Sequence, residues 1–172
     1  MHIYAMNPYR LTAIGLIVLL IYTAALYYSN IWKAARNAFR IINALLAMIA
    51  VYGILRYSVL NRDPSSNHVF AWAAEHNDEF YRELFMNALL YYPLGLALSV
   101  LAGPWSILAG FLFSMAVEIW QYCAGTGFAQ GTDVIMNTLG CAIGALPYII
   151  VKILTAGKKK KNSTAAKPNI TE

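Results

Sequence analysis

The chain has 172 residues, of which 59% are apolar and only 12% charged. A soluble domain carries about 25% charged residues, so half that density excludes a water-coated globule and, with it, a disordered chain. Mean hydropathy is +0.51, and the remaining class is a polytopic membrane protein. The net charge of +5 does not point to nucleic acid. Lys158–Lys161 form a terminal run and Lys33, Arg36 and Arg40 sit between two apolar stretches, a distribution that suits topology signals and anionic lipid. Cys123 and Cys141 belong to no CxxC pair, so they read as small packing residues.

A spanning helix needs about 20 mostly apolar residues. Charges mark the breaks in chain order. Leu11–Trp32 predicts helix 1, over about 10–29, with an apolar run longer than a signal peptide's and therefore uncleaved. Ile41–Leu60 predicts helix 2, interrupted only by Arg56. The uncharged run Leu84–Val117 is too long for one crossing, and Gly103-Pro104 divides it. Helix 3 is thus expected over about 84–101 and helix 4 over about 105–123. Gly125-Thr126-Gly127 and Gly131 mark a loop, and Val134–Val151 predicts helix 5 before a polar tail, Gly157–Glu172. The fold expected is all-α: five transmembrane helices plus a short amphipathic helix over Ser66–Glu83, lying on the outer interface. Its domains are an added helix and basic loop (1–40), a four-helix membrane core (41–154) and a disordered basic tail (155–172).

Lysine and arginine set the orientation. The 1–2 loop and the tail carry the basic clusters, whereas the 2–3 segment has Arg62 and Arg82 against five acids. The expectation is a multi-pass protein of the bacterial plasma membrane, N-terminus outside and C-terminus cytoplasmic. The sequons at Asn162 and Asn169 are then cytoplasmic and unmodified. His68, Glu75, His76 and Asp78 lack any compact metal-ligand spacing and read as solvated interfacial residues. No metal or other cofactor is expected.

Ionisable groups inside a bilayer are costly and call for a functional explanation. Arg56, Glu118 and Asp133 are such groups, accompanied by Asn87, Asn137 and, at the start of helix 3, Glu83. A rise of about 1.5 Å per residue puts Arg56, Glu118 and Asn137 roughly 6–8 Å below the outer helix ends, with Asn87 comparable. Helical spacing groups Glu118 with Gln121, Asp133 with Asn137, Gly140 and Gly144, and Glu83 with Asn87, Tyr91 and Gly95. Gly140 and Gly144 form a GxxxG, which permits close helix approach, and Pro93 frees a carbonyl in helix 3. One reading is an ion pair of Arg56 with Glu118 plus amide glue, all serving helix packing. The other is an outward polar cavity lined by Asn87, Glu118, Gln121, Asp133 and Asn137, with Arg56 or Arg82 balancing any anion.

At these residues the sequence resembles the VanZ-like family of small bacterial membrane proteins. Asn87-Ala-Leu-Leu-Tyr-Tyr-Pro-Leu-Gly95, Glu118-Ile-Trp-Gln121 and Asp133-Val-Ile-Met-Asn137-Thr-Leu-Gly140 followed by Gly144 are similar, in order and spacing, to three family blocks within about residues 80–150. An arginine that many members carry before the third block is absent, and Gln130 or Arg82 would have to replace it. The resemblance implies a cell-envelope role, and a theme of low-level resistance to the glycopeptide teicoplanin, without a reaction. The polar cavity read from the residues would bind a lipid headgroup, a lipid-linked wall precursor or a lipoglycopeptide, with membrane lipid as partner, no nucleic acid, and oligomers allowed. The alternative is a membrane-embedded enzyme with Glu118 and Asp133 as an acid/base pair; no nucleophile elbow, P-loop or metal motif accompanies it, and Ser114 is the nearby hydroxyl. A proton- or ion-coupled carrier fits less well, because the polar level is shallow and no internal repeat is visible.

Overall fold

The computed structural model describes residues 8–60, 69–72, 78–126 and 129–165. The elements, in order, are α1 (Pro8–Ile31), α2 (Lys33–Leu55), which ends in a single π-helical turn (Arg56–Leu60), β1 (Phe70–Ala71), α3 (Asp78–Ala102), α4 (Trp105–Ala124), β2 (Ala129–Gln130) and α5 (Gly131–Ala165). Among the described residues four helical segments are long and apolar enough to cross a membrane: Ala34–Leu60, Phe80–Ala102, Trp105–Ala124 and Gly131–Gly157. Ile17–Ser29 of α1 is a shorter apolar stretch.

α2, α3 and α5 outrun their apolar sequences because charged residues continue the helix beyond the greasy segment. α3 starts at Asp78 rather than near residue 84, and its acidic first turn suits the positive end of the helix dipole. α5 runs on to Ala165, so the first part of the expected tail is helical. Lysine and alanine are good helix formers. The expected interfacial helix over Ser66–Glu83 is not what forms in the described part of that segment. Phe70–Ala71 is a strand, paired in parallel with Ala129–Gln130, and Asp78–Glu83 is the start of α3. The physical reason is backbone satisfaction: Ala129 N–H donates to the Val69 carbonyl at 3.1 Å and Thr132 N–H to the Trp72 carbonyl at 3.1 Å. His68, Glu75 and His76 lie outside the described residues.

The chain divides into two compact units, one built from Arg40–Ile150, the other from residues up to Phe39 and from Val151 on. In the second, the chain doubles back at Trp32, so that Tyr22 and Phe39 meet with ring centroids 5.3 Å apart. Leu26 and Ser29 are buried there.

The Arg40–Ile150 unit holds the polar residues picked out from the sequence. Its core is built from Ala47, Ile54, Tyr91, Leu94, Ala97, Val117 and Cys141. On α2 the usual order is inverted: Asn43 is fully buried, while Ile41, Ile42, Leu45, Met48 and Ile49 are exposed. Polar groups inside and large apolar ones outside is the arrangement demanded when lipid is the solvent. α3 and α5 approach backbone to backbone. A Cβ on Gly95 would strike the Cys141 backbone, one on Gly140 the Ala88 backbone, and one on Gly144 the Tyr92 carbonyl and the Leu96 N–H. Two glycines in the left-handed region make the turns, Gly103 (φ 62°) between α3 and α4 and Gly125 (φ 63°) after α4.

Candidate functional site

Four helices, α2 to α5, and the β1–β2 bridge come together in the Arg40–Ile150 unit. Glu118 is set six residues before the end of α4, about 9 Å from it, and is buried. Its Oε2 accepts the Gln130 N–H at 3.0 Å, so the carboxylate ties α4 to β2. One turn on, Gln121 is also buried, and its Nε2 donates to the Ser58 carbonyl at 2.9 Å. Ser58 lies in the π turn of α2, where the altered spacing leaves a carbonyl available to a neighbour. Asn137 of α5 is buried, and its Nδ2 donates to Ser114 Oγ of α4 at 2.8 Å. Its Oδ1 has no protein partner. Tyr91 of α3, 1% exposed, reaches the same place. It lies beside Ser114, and its hydroxyl is within electrostatic range of both Glu118 and Asp133. Tyr91, Ser114, Glu118, Asp133 and Asn137 thus share one neighbourhood.

The other residues named from the sequence are placed differently. Asn87 and Asp133 are half-buried, while Arg56 and Arg82 are exposed. Arg56 makes no ion pair with Glu118, since the carboxylate faces β2 and the guanidinium faces outward. Gly95, Gly140 and Gly144 lie at the α3–α5 contact.

The open space is not lined by the amides. A groove of about 500 Å³ runs between α4 and α5, roofed by Phe70 and Trp72 of the β1 segment. Its walls are Phe111, Met115, Ile119 and Tyr122 of α4 and Val134 and Ile135 of α5. The surface it offers is apolar throughout; Glu118 lines it through its side-chain stem. A polar cavity was the sequence expectation. The structure instead puts the amides into helix packing and leaves an aromatic groove beside them, because buried amides find partners on neighbouring helices. The indole of Trp72 lies over Gly131, where a Cβ would come within 2.7 Å of the ring. Sequence reasoning missed Phe70, Trp72, Phe111 and Tyr122 as lining residues. The signal was present in the stripe Phe111, Met115, Glu118, Tyr122, spaced as one helix face.

The arrangement offers an amphiphile an apolar slot with the buried Glu118 in its wall.

The VanZ/LLP1 family model matches residues 10–152, taking in α1 as well as the three sequence blocks. Protein VanZ of Enterococcus faecium is 34% identical over 101 residues, which cover 56% of this chain and 60% of that protein. The matched region thus spans less than two thirds of the relative's length. No solved structure matches the chain.

Proposed function

The chain belongs to the VanZ/LLP1 family, and from that premise we propose that it is a bacterial envelope protein that binds the apolar tail of an amphiphile in the α4–α5 groove. The ligand class is a lipid-linked wall precursor, a membrane lipid or a lipoglycopeptide, and sequestering such a molecule would lower susceptibility to teicoplanin. The observation that carries this reading is the groove itself: about 500 Å³ with apolar walls, roofed by Phe70 and Trp72, beside the buried Glu118. That size and lining fall within the range of small-molecule pockets. Glu118 lines the groove, Asn137 ties α5 to α4 beside it, and Gln121 holds α4 to α2; Asn87 and Asp133 are half-buried on the helices around it. The exposed Arg56 and Arg82 flank the segment that carries β1 and are free to meet an anionic headgroup.

The proposed topology has five crossings in the plasma membrane, N-terminus outside and C-terminus cytoplasmic. It is supported by the clustering of lysine and arginine in the 1–2 loop and tail. The 24 residues of α1 also support it, at about 36 Å long.

The test is equilibrium binding to the full chain in nanodiscs. The probes are farnesyl phosphate, teicoplanin and a glycopeptide that lacks the acyl chain. Saturable binding of a tail-bearing probe, none of the tail-less one, and a roughly tenfold loss (about 1.4 kcal/mol) in Ile135→Trp are expected. Absence of saturable binding by both tail-bearing probes, or binding indifferent to Ile135→Trp, contradicts the reading.

A further inference from the structure

A second apolar recess, of about 510 Å³, lies further along the same helix pair, lined by Pro104, Trp105, Ile107, Leu108 and Phe111 of α4 and Thr138 of α5. Phe111 borders both recesses, and Thr138 is one turn beyond Val134 and Ile135. On α4 the lining residues of the two recesses fall on one helix face. The two recesses share Phe111 and follow one another along α4, from Tyr122 near one end to Trp105 at the other.

We propose that the two recesses act as one groove and hold one long hydrocarbon chain of a polyprenyl-linked amphiphile; the inference rests on the reading of the first recess given above. Length is the first argument. Trp105 to Tyr122 is seventeen rises, about 26 Å, close to the roughly 30 Å of a bilayer's hydrocarbon core. A lipid acyl chain stays in its own leaflet, roughly half that thickness, and would fill only one recess. A chain following the whole groove must exceed one leaflet, which a polyisoprenoid does. Continuity with the lipid-facing surface is the second argument. Leu108, Leu112, Met115 and Ile119 are exposed on a helix apolar enough to cross a membrane, so a chain enters sideways from the bilayer without passing through water. The third is charge: no charged side chain lines the second recess, and an uncharged hydrocarbon is the matching occupant. Trp105 at one end and Trp72 at the other are the aromatic residues expected where a bilayer meets its headgroups.

The experiment compares undecaprenyl phosphate with farnesyl phosphate, whose short chain reaches the first recess only. Both are titrated against the wild-type chain, Leu108→Trp and Ile135→Trp in nanodiscs. Leu108 is half exposed on the groove wall, so a larger ring there narrows the second recess without entering the core. The wild type is expected to bind undecaprenyl phosphate at least about tenfold more tightly. Leu108→Trp should abolish that difference while leaving farnesyl phosphate unaffected, and Ile135→Trp should weaken both. Equal affinity of the two probes, or a preference that survives Leu108→Trp, overturns the long-chain inference and leaves the first recess as a tail site. The same holds if neither prenyl phosphate binds while teicoplanin does. If Ile135→Trp changes nothing for any probe, the site reading falls with it. Co-purification of diacyl phospholipid in the groove, undisplaced by undecaprenyl phosphate, also overturns the inference in favour of ordinary lipid filling.

Discussion

Gly140→Leu is expected to be the most damaging single substitution in the bundle, costing about 3 kcal/mol of stability. A Cβ at Gly140 would fall on the Ala88 backbone, 2.8 Å from its carbonyl carbon and 2.9 Å from its Cα. Backbone cannot swing aside as a flexible side chain can, so α3 and α5 must part. The contact repeats along the pair: Gly95 faces Cys141 and Gly144 faces Tyr92 and Leu96. Prying one site open therefore loosens the others, together with the Tyr91 and Asn137 contacts between them. Gly53→Leu is the matched control, since nothing lies within 4 Å of a Cβ there and leucine is the better helix former. It should change stability by no more than about 0.5 kcal/mol. Unfolding in mixed detergent micelles, followed by helicity, measures both; equal losses would mean that α3 and α5 do not meet through their glycines.

Glu118→Ala should cost about 2 kcal/mol, the usual value for removing a charged acceptor from a buried hydrogen bond. The substitution strips the Gln130 N–H of the oxygen it donates to at 3.0 Å. β2 then loses its hydrogen-bonded tie to α4, and the roof of the groove rests on the β1–β2 pairing. Glu118→Gln keeps an oxygen in place and should lie within about 1 kcal/mol of wild type. The same unfolding measurement separates the two. A glutamine as harmful as the alanine would show that the charge, rather than the hydrogen bond to β2, is what the site requires.

The helix cores were legible because lipid forbids charge within a span, so Leu84–Val117 and its Gly103-Pro104 break could only be two helices. Their ends were not, since Asp78 and Glu83 at one end and the lysines after Gly157 at another extend helices into water, where charge is no barrier. The two-residue pairing of Phe70–Ala71 with Ala129–Gln130 had no sequence signal. Strands that short carry no periodicity, and their partners are 59 residues apart. The depth argument brought Glu118 and Asn137 to one level with Asn87 and Arg56; Glu118 and Asn137 do share a neighbourhood, and Tyr91 and Asp133 join them. It failed for Arg56, which is exposed, because depth along a helix says nothing about facing. The groove escaped notice for a different reason. Helix periodicity shows which residues share a face, but a gap between two faces depends on where the helices stand apart.

A photo-crosslinking amino acid placed at Tyr122, in the groove, and at Tyr52, on the exposed face of α2, tests the central claim most directly. The crosslinked molecules from membranes of living cells would be identified by mass spectrometry. The account predicts a single amphiphile class strongly enriched at Tyr122 over Tyr52; the same phospholipid mixture at both positions would contradict it.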